Sequence, residues 1–219
     1  MVVSFAARAA LLDMDGTLVD SHAVVNRVWS DWADAHGLDR ETVLSVIPGR
    51  QGHASMAILL PERPHEVNLA ENERLQAREI ADVDGIVEIR GAAAFLGALT
   101  GLPHALVTSA DLALAGARMT ASGLRMPPVA VTAEDVVHSK PNPEGFLTAA
   151  AALGVAPEDC VVFEDSAAGV AAGLAAGMRV VGVGAASAAA GPTWVVPDLT
   201  GVRVEASPGG MTFTLAGTV

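Results

Sequence analysis

Hydrophobic residues along this chain come in two rhythms. Short, continuous apolar runs occupy residues 8–12, 104–107, 129–131, 160–163 and 180–183, rich in Val, Leu and Ala. Runs without strict alternation are what parallel strands covered on both faces require. Between them lie Ala-rich stretches of helical length at 91–100, 110–122, 143–153 and 166–176. The last three stop at Gly123, Gly154 and Gly177, the residue type that most readily takes the left-handed conformation ending a helix. Strands alternating with helices through short loops predict an α/β fold, a Rossmann-like doubly wound parallel sheet. After Pro197 the pattern predicts a small hairpin turning at Pro208-Gly209-Gly210.

One stretch breaks the alternation. From residue 21 to 88 no strand pattern is found. Val24, Val25, Val28, Trp29 and Trp32 recur at three- and four-residue spacing, which makes one apolar helix face and assigns the two tryptophans to a local core. Further helices are predicted at 40–47, 52–60 and 65–80, punctuated by Gly37, Pro48-Gly49 and Pro61. The expected organisation is therefore an α/β core made of residues 1–20 and 89–219, with an all-helical cap domain, 21–88, inserted directly after the first strand.

Composition narrows the class. The chain has 219 residues, 51% of them hydrophobic and 17% charged, enough to bury a core and too apolar for a disordered chain. The net charge of −12, with no basic stripe, argues against nucleic-acid binding. Residues 91–110 and 180–197 lack charge, but Gly and Pro interrupt both, so neither reads as a membrane span. The first residues do not read as a signal peptide. A single cysteine, Cys160, sits in an apolar run and reads as packing. With no second thiol to pair with, a reducing cytoplasm is expected.

The chemistry-bearing residues fall where predicted strands end. Asp13 and Asp15 lie in DMDGTLVDS, just after the first run, with Gly16 suited to a tight exit. Glu164 and Asp165 end another run in FEDSAAG, with Ser166 placed to cap the next helix. Alone, the first pair also reads as an acidic turn, and the second as acids favoured at a helix N-terminus. Together they put four carboxylates at one sheet edge, the edge where open α/β sheets bind ligands. Such crowding calls for a hard divalent cation with oxygen ligands. Mg²⁺ fits, because it takes one or two carboxylates and leaves room for a phosphate oxygen. The basic residues are twelve Arg and one Lys, Lys140, in HSKPNPEGF. It reads either as a surface lysine or as a compact point charge between a carboxylate and a phosphoryl oxygen. Thr108 and Ser109, after the second run, read either as helix caps or as phosphate holders.

The ordered set DMDGTLVDS, LVTSAD, SKPNPEGF and VVFEDSAAGVAAGLAAGM resembles the four motifs of the haloacid dehalogenase-like hydrolase superfamily. The helical insertion resembles its small helical cap. The resemblance implies that Asp13 is the nucleophile forming an aspartyl-phosphate, and that Asp15 is the general acid and base. It implies Mg²⁺ held by Asp13, Asp165 and the Asp15 backbone carbonyl, with Glu164 as a further or water-mediated ligand. It implies that Thr108 and Lys140, with Ser109 beside them, hold the phosphoryl group.

Within that superfamily, Asp15 argues against a dehalogenase, which has no leaving oxygen to protonate. A phosphonate hydrolase needs a cap lysine, and 21–88 contains none. The branch of β-phosphoglucomutase-like mutases carries a cap histidine where this chain has Val25. The segment VLSVIPGRQGHASM resembles the specificity loop of sugar and polyol phosphatases, which makes Arg50 and Gln51 candidates for contacting substrate. The expected function is a Mg²⁺-dependent phosphatase acting on a small phosphorylated sugar or polyol. A sugar phosphomutase and a phosphoglycolate-type phosphatase are the alternatives within the fold. A phospho-accepting receiver domain is the rival outside it, and its shorter chain without an insertion counts against it. The expected partner is a small-molecule phosphate ester, with no nucleic acid or membrane, and the chain is expected to be a monomer or weak homodimer.

Overall fold

The computed structural model describes residues 2–218. In chain order the first elements are β1 (Val2–Ala7), β2 (Ala9–Leu12) and β3 (Val19–Asp20). Four helices follow: α1 (His22–Ala35), α2 (Arg40–Val46), α3 (Gly52–Leu59) and α4 (His65–Ala81). Next come β4 (Val87–Glu88), α5 (Ala92–Ala98), β5 (His104–Val107), α6 (Leu112–Ala121), β6 (Val129–Val131) and α7 (Glu144–Leu153). The chain ends with β7 (Cys160–Glu164), α8 (Ala167–Ala175), β8 (Arg179–Val183), β9 (Trp194–Val196), β10 (Val202–Ser207) and β11 (Gly210–Ala216).

Six strands form one parallel sheet in the order β6-β5-β2-β7-β8-β9. Every residue of β2, β5 and β7 is buried, as their unbroken apolar runs require. The two faces feed two separate cores. Ala10, Leu12, Leu106, Val161 and Phe163 pack on one side with Phe95 of α5 and Leu114 of α6. Ala9, Leu11, Ala105, Val107 and Val162 pack on the other with Phe146 of α7 and Val170 of α8. This is the doubly wound arrangement expected from the alternation of elements. The helix stops fall at Gly123, Gly154 and Gly177, all at positive φ.

Four strands lie beyond the predicted set: β1 and β9, and the short pair β3 and β4. β1 is half-buried and pairs antiparallel with β11, which also pairs with β10 in a second, three-stranded sheet. Its Phe5 stacks on Trp194 at 4.2 Å, so its apolar side is satisfied late in the chain, which a local reading cannot see. β9 extends the main sheet from a run of only three residues. The predicted hairpin after Pro197 is β10–β11, turning at Gly209.

Residues 22–81 hold the four helices α1–α4, joined by short turns, with no strand among them. Val24, Val28, Trp29, Trp32 and Ala33 form the buried face of α1, and the rings of Trp29 and Trp32 meet edge-on at 5.4 Å. One expectation needs correcting: Val87 and Glu88 form a strand inside 21–88. They pair antiparallel with Val19 and Asp20 where the chain leaves and re-enters the α/β layers. Two exposed residues are too short a strand to leave an alternating pattern.

β2 is the switch point of the main sheet, since later strands add on both sides of it, and a ligand crevice opens at the carboxyl ends of such strands. Leu12 is in register with Leu106 on one side and Phe163 on the other. Position 13 is therefore level with positions 107 and 164. Phe163 anchors this alignment: it is fully buried, 4.8 Å from the Phe95 ring and 5.6 Å from Phe213. Phe163→Ala is expected to cost about 3–5 kcal/mol in urea unfolding. A loss below about 1 kcal/mol would contradict this packing.

Candidate active site

The level ends of β2, β5 and β7 build one charged cluster. Lys140 lies 7% exposed beneath them, and its ammonium makes three contacts. Nζ donates to Asp13 Oδ1 at 2.6 Å, to Glu164 Oε1 at 2.8 Å and to the Val107 carbonyl at 3.2 Å. An ammonium has three protons, so its donor capacity is used completely. The Phe146 ring lies 5.1 Å from Nζ and closes the apolar side. Burial acts to lower the Lys140 pKa, but the charges of Asp13 and Glu164 outweigh it and hold the pKa above the ordinary value. Lys140 is a cation throughout the physiological range.

Glu164 is fully buried and has both oxygens engaged. Oε1 faces Lys140, and Oε2 accepts from the Ser166 backbone N–H at 2.7 Å and from its hydroxyl at 2.9 Å. Ser166 Oγ in turn accepts from Gly169 N–H, capping α8. A Cβ at Gly169 would overlap the Glu164 carboxylate, so only glycine lets the first turn of α8 close over it.

Asp13 and Asp165 carry the strain of the cluster. Burial and then the Glu164 charge push the Asp13 pKa up to about 8, with Lys140 acting in the opposite direction. Burial, Glu164 and Asp13 raise Asp165 well above the carboxylate range. Asp13 Oδ2 and both Asp165 oxygens have no hydrogen-bond donor among the described residues. Gly16, at φ 85°, is what lets Asp165 approach: a Cβ there would overlap its carboxylate.

These residues fit a divalent cation. One ligand atom from each of Asp13, Glu164 and Asp165 lies within 4.8 Å of the others. With all three carboxylates ionised, the one ammonium would leave two negative charges unbalanced in a buried place, which is why burial pushes Asp13 and Asp165 toward the neutral acid. Hard oxygen donors of this kind suit Mg²⁺ or a similar ion.

Asp15 sits apart from that trio. Its Oδ1 accepts from the Ser21 hydroxyl at 2.6 Å and its Oδ2 from Arg118 Nη1 at 2.7 Å. Arg118, 4% exposed, also donates from Nη2 to Glu79 Oε2 on α4 at 2.8 Å. Neither Arg118 nor Glu79 figures among the residues expected from sequence, although a signal was present. Arg118 shares the buried face of α6 with Leu114, Ala115 and Met119, and Glu79 follows Leu75 by four residues on the buried face of α4. For Arg118, a charge among apolar neighbours on one helix face is that signal, while Glu79 shares its buried face with Asn68 and stands out less.

The remaining candidates divide. Thr108 is buried, and its hydroxyl accepts from Ala110 N–H at 3.1 Å beside the acids. Ser109 donates to the Gly49 carbonyl at 2.9 Å and so ties the loop after β5 to the helical segment. Arg50 lines the same cavity as Asp13 and Asp15, with Nη1 on the Val46 carbonyl at 2.8 Å. Gln51 is buried and faces a neighbouring recess. It bonds Ser139 through its backbone N–H and the Ala133 carbonyl through its amide. In this arrangement it holds the helical segment to the loop before Lys140. Cys160 packs in the core, and burial and then the Asp159 and Glu158 charges push its thiol up to about 11, away from reactivity.

A cavity of about 150 Å³ is lined by Asp13, Asp15 and Asp165 together with Asn26 and Trp29 of α1 and Asn72 and Gln76 of α4. Asn72 Nδ2 donates to Gln76 Oε1 at 2.9 Å.

A doubly wound α/β sheet with a carboxylate cluster at its switch point places these acids where such sheets bind ligands. A family model of haloacid dehalogenase-like hydrolases matches residues 7–177. The chain is 45% identical over 177 residues to hexitol phosphatase A of Escherichia coli, covering 80% of this chain and 82% of that one. It is 34% identical over 204 residues to validoxylamine A 7'-phosphate phosphatase of Streptomyces hygroscopicus subsp. limoneus, covering 90% and 96%. Among solved structures, a HAD family hydrolase from Deinococcus radiodurans with bound phosphate and sodium matches with a TM-score of 0.62 at 30% identity, over 87% of this chain and 90% of that one. The chain belongs to the haloacid dehalogenase-like hydrolases.

The charge imbalance predicts a cation effect on stability. A divalent cation at a hundred times its Kd should stabilise the fold by about 2–3 kcal/mol, read as a rise in Tm. Asp165→Asn should remove most of that rise. An equal rise in the variant would place the cation elsewhere.

Proposed function

We propose that this chain is a Mg²⁺-dependent phosphatase that hydrolyses a small phosphorylated sugar or polyol through a phosphorylated Asp13. The observation that carries the reading is the pairing of one free carboxylate oxygen with a buried cation. Asp13 Oδ1 is held by Lys140, which leaves Oδ2 free at the cavity floor.

In the first step Asp13 Oδ2 bonds to phosphorus and the ester P–O bond breaks. The departing alcohol oxygen takes a proton from Asp15. In the second step Asp15 accepts a proton from water, whose oxygen bonds to phosphorus as the bond to Asp13 breaks. The sum is one ester and one water giving alcohol and phosphate, with both aspartates restored. Lys140, fixed by three acceptors, holds Asp13 in line and places a positive charge beside the transferring group. Thr108 and Ser109, at the end of β5, are assigned to the phosphoryl oxygens. When bound by Asp13, Asp165 and the Asp15 backbone carbonyl, with Glu164 behind them, Mg²⁺ supplies charge neutralisation and orientation of a phosphoryl oxygen. Glu164 serves chiefly as the partner of Lys140, given that both its oxygens are engaged.

The substrate class follows from the cavity and the relatives. Amide groups of Asn26, Asn72 and Gln76 beside the Trp29 ring suit a chain of hydroxyls on a short carbon skeleton. Relatives named as a hexitol phosphatase and a validoxylamine phosphate phosphatase support the same class. In this reading residues 21–88 act as a cap over the core of 1–20 and 89–219, and Arg50 reaches the substrate from the cap. The single, buried thiol is in keeping with a cytoplasmic setting.

With Mg²⁺ and a panel of hexitol, pentitol, glycerol, sugar and glycolate phosphates, phosphate release is expected to be fastest with a polyol or sugar ester. Asp13→Asn should lower kcat at least about 10³-fold, because a carboxamide cannot serve as the nucleophile. No release from any ester, with the variant indistinguishable from the wild type, would refute the proposal.

A further inference from the structure

Arg118 belongs to no motif of the acid cluster, yet it is buried and joins two carboxylates on different parts of the chain. α6 is otherwise made of small, apolar or uncharged residues, LALAGARMTA. The guanidinium spans from Asp15 in the loop after β2 to Glu79 on α4. Its Nε is buried with no hydrogen-bond partner, so the group forgoes one bond while keeping these two. A buried ion pair rarely improves stability over packed apolar side chains, which directs attention to what the arrangement does to Asp15.

The Asp15 side chain is 30% exposed at the cavity floor. Ser21 alone would fix one oxygen and leave the carboxyl plane free to turn. With Ser21 on Oδ1 and Arg118 on Oδ2, the plane is set by two donors from two elements. The planar fork of arginine can present separate N–H groups to two carboxylates, which a lysine ammonium does less directionally. Glu79 draws the opposite side of the guanidinium toward α4, so the position of the fork depends on where α4 rests.

We propose that Arg118 is a positioning residue: it orients the Asp15 carboxyl for proton transfer to the leaving oxygen, and does so only while α4 is seated against α6 through Glu79. The proposal rests on the assignment of Asp15 as general acid given above.

The test uses the full-length protein with Mg²⁺ and follows leaving-group release in a single turnover. Two esters are compared: a hexitol phosphate, whose alkoxide needs a proton, and p-nitrophenyl phosphate, whose phenolate does not. Asp15→Asn sets the reference, with hexitol release slowed about 10²–10⁴-fold and nitrophenolate release slowed less than about tenfold. Arg118→Met is expected to slow hexitol release at least about tenfold more than nitrophenolate release, and Arg118→Lys is expected to restore less than half of that loss. The double variant Glu79→Gln/Arg118→Met removes both charges of the buried Arg118–Glu79 pair and leaves only the partly exposed Asp15 without its cation, should fold where the single variant does not, and should show the same selective loss. Glu79→Ala alone should show a smaller loss of the same kind. Equal slowing of both esters in the double variant, or none, overturns the role of Arg118. Wild-type selectivity in Glu79→Ala overturns the dependence on α4. If Asp15→Asn itself slows both esters equally, the fault lies with the acid assignment and not with Arg118.

Discussion

The site depends on one buried ammonium. Lys140 enters below the sheet edge and is held by a carboxylate from β7, a carboxylate following β2 and a carbonyl of β5. Because the three strands are in register, the three acceptors stand at one level, and a single point charge can satisfy all of them. Removing it would leave buried carboxylates facing one another with no cation between them, a loss of the kind that costs several kcal/mol. The lysine also fixes what remains undone. With all three acids ionised it balances one of three charges, and the other two are what a divalent ion would neutralise.

Glycines make that crowding sterically possible. Gly16 admits the Asp165 carboxylate, Gly169 admits Glu164, and Gly49 lets the loop after α2 lie against Ser166 at the start of α8. Each sits where any side chain would occupy space that a charged group or its cap already fills. A buried cluster of like charges thus follows from backbone positions as much as from the acids themselves.

The sheet, its flanking helices and the helical stretch after the first strand could be read from the chain, because unbroken apolar runs and glycine stops are local signals. The acids after residues 12 and 163 could be placed at one edge for the same reason. What escaped were features made by contacts distant in sequence. β1 finds its partner in β11, near the opposite end of the chain. Gln51 carries the polar look of a substrate contact, yet its amide is spent on the Ala133 carbonyl. Arg118 and Glu79 each sit on the buried face of a helix, and only the chain of contacts from Glu79 through Arg118 to Asp15 gives them meaning. The singular use of lysine, by contrast, marks Lys140 in the sequence itself.

The cluster of Asp13, Glu164 and Asp165 is arranged to be completed by a divalent cation. Crystals soaked in Mn²⁺, a spectroscopically visible substitute for Mg²⁺, put this to the most direct test through anomalous scattering. One strong peak is expected within coordination distance of Asp13 and Asp165, absent from crystals of Asp165→Asn. A cluster without a peak, its carboxylates still gathered around Lys140, would contradict it.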